Sequence, residues 1–186
     1  MTKLIVFNMI SLDGFFEGPN HELDWHVTDE EFDLFAIEQL RQVGTILFGR
    51  KTYQMMADFW PTDFAKREDP IVAELMNSLP KIVFSGSLKS VDWSNSKLVK
   101  ENAINEVRKL KKTAKMELIL FGSAEMMATL IRANLIDEFR LMVNPVVLGR
   151  GRPLFADPEM TLKFDLLNAK PFKPGNVLLN YVLKKG

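Results

Sequence analysis

The stretch "ILFGRKTYQMM", Ile46 to Met56, decides how this chain reads. An apolar run stops at Gly49. Two cations and a threonine follow at once, and then a helix-like segment begins. Glycine allows a sharp turn and a close backbone approach. The helix that follows leaves its first N–H groups unpaired, which suits an anion. Arg50 and Lys51 oppose the helix macrodipole there, at a cost of a few tenths of a kcal/mol. A bound phosphate removes that penalty, with Arg50 as a bidentate partner, Lys51 as a point charge and Thr52 adding a hydroxyl. Ordinary turn chemistry explains the glycine as well, and both readings stand at this point.

Two further junctions repeat the pattern: Phe84-Ser85-Gly86 and Phe121-Gly122-Ser123. In open α/β sheets, ligands bind beyond the carboxyl ends of the strands. Three such ends suggest one extended anion, such as a dinucleotide. The plain alternative is a set of tight turns, with Ser123 as a helix N-cap.

The rest of the chain fits around these junctions. Leu4 to Ile10 reads as a buried strand. Thr28 and Glu31 resemble a capping box, with Phe32, Phe35, Ala36 and Leu40 at helical spacing after them. Thr45 to Phe48 is a strand, and Lys51 to about Phe59 a helix that ends at Trp60-Pro61. Pro70 opens another helix. Lys81 to Phe84 and Glu117 to Phe121 are strands, with helices from Glu101 to Lys112 and after Gly122-Ser123. Phe139 to Leu148, Leu162 to Asn168 and Val177 to Leu183 then read as strands without helices between them. The fold class is α/β: a mostly parallel sheet, helices on both faces and antiparallel strands at the end. A single domain over residues 1–186 accommodates it.

Composition narrows the function. Hydrophobic residues make up 47% of the 186, which excludes a disordered chain. Lys+Arg and Asp+Glu are both 24, so no global charge favours nucleic acid or an anionic membrane. No cysteine is present, so there is no thiolate nucleophile or metal ligand. No run is long and apolar enough to span a membrane, and the cytoplasm is the expected location. His21 and His26 share one loop without a metal-ligand pattern. "LGRGRPLF", Leu148 to Phe155, lacks the third glycine of a dinucleotide fingerprint and runs into Pro153.

The loop "SLDGFFEGPNHELDWH", Ser11 to His26, is long enough for a functional lid. Trp25, Phe15 and Phe16 can stack on a planar ring, or can seal the first helix onto the sheet. Asp13, Asp24 or Glu17 can orient a proton.

Together "ISLDGFFEGP", "LFGRKTY", "IVFSGSL" and "LILFGSAEMMATLIRANLIDEFRLMVNPVVLGRGRPLF" resemble the dihydrofolate reductase superfamily. The closer likeness is to the reductase domain of bifunctional riboflavin-biosynthesis enzymes and its stand-alone relatives. The resemblance implies a dihydrofolate-reductase-like three-layer fold, NADPH as cofactor and reduction of a small pyrimidine- or pterin-like substrate. It also implies a homodimer through the terminal strands. It assigns Gly49, Arg50, Lys51 and Thr52 to the cofactor phosphates, including the 2′-phosphate. Ser85 and Gly86 would lie beside the adenosine. Phe121, Gly122, Ser123, Ala124 and Glu125 would lie at the pyrophosphate. Ser11, Asp13 and Gly14 would lie near the nicotinamide and substrate. Asp13, with Trp25, is the expected catalytic group. Trp25-His26-Val27-Thr28 lacks the proline that dihydrofolate reductases carry here, and Asp29, Glu30 and Glu31 read as capping acids. A nucleotide-binding or sensing protein without turnover is the alternative.

Overall fold

The structure is a computed structural model describing residues 1–157 and 161–184. The chain runs β1 (Leu4–Ile10), β2 (Phe15–Glu17), α1 (Glu30–Gln42), β3 (Val43–Gly49), α2 (Arg50–Phe59), α3 (Asp63–Glu68) and α4 (Pro70–Ser78). It continues β4 (Lys81–Phe84), β5 (Ser96–Val99), α5 (Ala103–Thr113), β6 (Glu117–Phe121) and α6 (Ala124–Arg132). The last strands are β7 (Glu138–Val143), β8 (Arg152–Pro153), β9 (Phe164–Pro171) and β10 (Val177–Leu183). No described helix is long and apolar enough to cross a membrane.

Eight strands form one sheet in the order β5-β4-β3-β6-β1-β7-β10-β9. The pairs from β5 to β7 are parallel, and β10 pairs antiparallel with both β7 and β9. Period-two alternation divides the core. Leu4, Val6, Leu118 and Leu120 face one side with α5 and α6, while Ile5, Phe7, Ile119 and Phe121 face the other with α1, α2 and α4. The central strands are therefore buried on both faces, which is why they read as unbroken apolar runs.

Local chemistry moves some expected boundaries. The first helix is capped by Asp29 and not by Thr28: Phe32 N–H donates to the Asp29 carboxylate at 3.0 Å. Glu31 cannot close a capping box, because it accepts from Lys173 N–H at 3.1 Å and pairs with Lys170. The strand expected to reach Leu148 ends at Val143. Beyond it Asn144, wholly buried, turns the chain, and Pro145 offers no N–H for a ladder. The short elements α3, β2, β5 and β8 carry too little periodicity to be seen in the sequence.

Lys81 is the unexpected core residue. It has no exposed surface, and its Nζ donates to the carbonyls of Met76, Asn77 and Leu79 at 2.7, 3.1 and 2.7 Å. These carbonyls lie at the end of α4, where a cation complements the macrodipole. The Trp93 ring lies 4.5 Å below the same ammonium. Burial pulls the pKa down to about 8, against the pull of these partners. Replacing Lys81 with Met strands three carbonyls, and thermal unfolding of Lys81→Met should show a loss of about 2–4 kcal/mol. An unchanged Tm would contradict this role.

Candidate active-site cleft

β4, β3 and β6 are parallel neighbours, so their carboxyl ends lie side by side. A cleft of about 1050 Å³ opens there and extends between α1 and α4. Gly49, Arg50, Lys51 and Thr52 line it, as do Ser85, Phe121, Gly122, Ser123, Ala124 and Glu125. Ser11, Asp13, Gly14, Trp25 and Gly86 do not.

Two helix N-termini meet at this end. α2 starts after Gly49 and α6 after Ser123, and neither has a side-chain cap. Both starts line the cleft. A single hydroxyl joins them: Gly49 N–H donates to Ser123 Oγ at 2.8 Å, and Thr52 Oγ1 lies 3.1 Å from the same oxygen. Gly122 and Ser123 both adopt left-handed backbone, with φ of +55 and 57. A Cβ on Gly122 would sit 2.9 Å from Thr52 Oγ1, so the close packing of the two turns requires glycine there. A serine in this conformation costs about 1–2 kcal/mol, which its hydrogen bonds offset. The bond also spends the Gly49 amide, leaving the later amides of α2 and α6 for a ligand. Arg50 and Lys51 are exposed at the mouth, and neither has an ion-pair partner among the described residues.

The loop after β1 has a structural task that its sequence hid. Asp13 accepts from Ser11 Oγ at 2.7 Å, Gly149 N–H at 2.8 Å and Leu148 N–H at 3.2 Å. Those donors, Ser11 first, hold its carboxyl below the usual range. A carboxylate held ionised in this way gives up no proton readily, and Asp13 lies beside the cleft and not in its lining. Ser11 Oγ also receives Phe15 N–H, and Gly14 O receives Leu154 N–H. The turn thereby pairs β2 with β8 and brings Phe16, Glu17 and Arg152 to the cleft. Arg152 bridges Glu17 at 3.4 Å and Glu125 at 2.5 Å, with its guanidinium over Phe16. Trp25 lies outside the cleft, its indole N–H bonded to Glu22 O and its ring edge-on to His26. Ser85 Oγ receives the N–H groups of Ser87 and Leu88, holding its own turn.

Three groups that sequence reasoning missed line the cleft, Asn8, Asp33 and Asp69, and His26, considered there only as a metal ligand, joins them. Asp33 lies on α1 just past the capping acids, where its helical spacing was the available signal. Its pKa is raised, by burial first and then by Asp69, Asp29 and Glu30. His26 is placed by two buried asparagines: Asn144 Oδ1 accepts from Val27 N–H at 2.9 Å, and Asn176 Nδ2 donates to Val27 O at 2.6 Å. Phe7, Phe32, Leu40, Val72 and Met76 supply an apolar lining suited to a planar ring.

Burial lowers the His26 pKa from 6.5 to about 4. Between these values the unfolded chain binds the proton more tightly than the folded one. The contribution is complete above pH 6.5 and is lost as pH falls towards 4, by roughly 2–3 kcal/mol. Replacing His26 with Gln should flatten the pH dependence of Tm across this window. An identical acid slope in the variant would contradict the assignment.

Comparison with known proteins places this architecture. Residues 2–178 match the family described as the RibD C-terminal domain. The uncharacterized protein YyaP of Bacillus subtilis (strain 168) is 37% identical over 183 residues, covering 96% of this chain and 94% of YyaP. A deaminase/5-amino-6-(5-phosphoribosylamino)uracil reductase from Thermotoga maritima superposes with a TM-score of 0.70 at 14% identity, over 98% of this chain and 57% of that one. Dihydrofolate reductase from Enterococcus faecalis, solved with NADP(H), gives a TM-score of 0.67 at 13% identity, over 98% and 97% of the two chains. The fold is thus the dihydrofolate-reductase-like α/β fold, and the chain belongs to the RibD C-terminal domain family.

Proposed function

We propose that this protein is an NADPH-dependent reductase of a small heteroaromatic or carbonyl substrate, acting in the cytoplasm. The observation that carries the reading is the pair of uncapped helix N-termini joined through Ser123 at one end of a single cleft. Amides of α2 and α6 would hold the pyrophosphate, and unpaired Arg50 and Lys51 the extra phosphate that separates NADPH from NADH. The floor of Phe7, Phe121 and Met9 would receive the nicotinamide. The bound cofactor supplies hydride; the chain supplies orientation and a dry, shaped site. Asp33 holds a proton at higher pH than an ordinary carboxyl and takes the proton-managing role first expected of Asp13.

The family membership, and the NADP(H) complex of the Enterococcus enzyme, support the cofactor. A homodimer fits the outer strand β9, whose Leu166 and Leu167 are 54% and 56% exposed.

Two experiments test the reading. The double substitution Arg50→Ala/Lys51→Ala should weaken NADPH binding by roughly 30- to 100-fold and NADH binding by under about threefold. An equal loss for both cofactors would sink the phosphate assignment. Turnover should also fall as pH rises through the raised Asp33 pKa, and Asp33→Asn should abolish that limb. A limb that survives in the variant belongs to another group.

A further inference from the structure

The stretch "LGRGRPLF" fails as a dinucleotide fingerprint, yet its strand β8 carries Arg152 to the cleft. Gly151 makes that approach possible: at φ +154, a Cβ there would sit 2.4 Å from Glu17 O on β2. Arg152 then bridges two acids of unlike burial. Glu17 has a side chain 13% exposed and also lies 2.9 Å from His21 Nδ1. Glu125 has a side chain 86% exposed and stands in the first turn of α6. Glu17, with the Phe16 ring 5.7 Å away, fixes the guanidinium. Glu125 is held far less firmly, because water solvates its carboxylate at little cost.

Glu125 stands where an anionic ligand would. The start of α6 has no side-chain cap and lines the cleft, so its amides and macrodipole favour an anion. The chain supplies one of its own there, and pairs it with a guanidinium whose planar fork matches phosphate as well as carboxylate.

Asn8 is an independent sign of a ligand on this side. Along β1 it alternates onto the face of Leu4 and Val6, which α6 covers. It is 3% exposed and lines the cleft, and its Nδ2 has no acceptor among the described residues. A buried donor left unmet is costly until an acceptor reaches it. The α6 side thus gathers donors: Asn8 Nδ2, the α6 amides and the Arg152 guanidinium. An oxyanion is the partner they share.

We propose that Arg152 is a phosphate-binding residue held in reserve by Glu125, which stands in for the ligand. A pyrophosphate group arriving at the α6 amides takes the place of Glu125 on the guanidinium, and Glu125 swings out to solvent. Glu17 and Phe16 keep Arg152 in position throughout. Under the reductase reading, on which the carrier of that group rests, it is the pyrophosphate common to NADPH and NADH.

Titrating the isotopically labelled full chain with inorganic pyrophosphate, NADPH and NADH decides the matter. The Arg152 Nε–Hε resonance should move with each ligand that binds, along the saturation curve of the Ala124 amide. Glu125→Gln should tighten every such ligand by about three- to tenfold, by removing the competing anion. Arg152→Met should weaken them by about tenfold, with NADPH and NADH losing alike. The resonance is read in the unaltered chain, so it decides even where Arg152→Met unsettles the β2–β8 ribbon. An unmoved Arg152 resonance, no gain in Glu125→Gln, a loss in Arg152→Met confined to NADPH, or no binding of any of the three would overturn the proposal. Pyrophosphate binding through Arg152 without NADPH or NADH binding would overturn the reductase reading instead and leave this one standing.

Discussion

Parallel pairing of β3 with β4 on one side and β6 on the other is the constraint on which the rest depends. Register pairs Gly49 with Phe84 and Leu47 with Leu120, so three strands terminate along one line. Two of them run into helices, β3 directly and β6 across Gly122-Ser123, and helix starts cannot pair their own first amides. Side-chain caps would normally satisfy those amides, yet α2 and α6 have none. The Ser123 hydroxyl holds the two starts together through Gly49 N–H, so an anion meets one surface built from two helices.

The same cleft changes character along its length. At the strand ends it offers amides and cations. Between α1 and α4 it offers two acids and a neutral histidine over an apolar lining. The two parts of the cleft therefore differ in the sign of the charge they present. Asn144 and Asn176 grip both sides of the Val27 peptide, which fixes where His26 and the start of α1 stand.

The sheet was legible because its strands are buried on both faces, and unbroken runs such as Leu118 to Phe121 advertise that. The three strand-end turns were legible for the same reason, since glycine and serine interrupt those runs. Asp13 was misleading. It looked like a free acid in a long loop, and only the fold brings Gly149 and Leu148 amides onto it from more than a hundred residues away. Asp33 and Asp69 were hidden among capping acids of similar type. Which acid caps a helix and which one faces a cleft depends on backbone geometry that sequence does not display. Lys81 was hidden too, because its partners are carbonyls, and carbonyls leave no trace in the sequence.

The account stands on one anionic ligand engaging both helix starts at once. Amide chemical shifts followed during an NADPH titration of isotopically labelled protein test this directly. The amides of Arg50, Lys51 and Thr52 should move together with those of Ala124, Glu125 and Met126, along one saturation curve. Movement of only one set, or saturation of the two sets at different concentrations, would contradict a shared site.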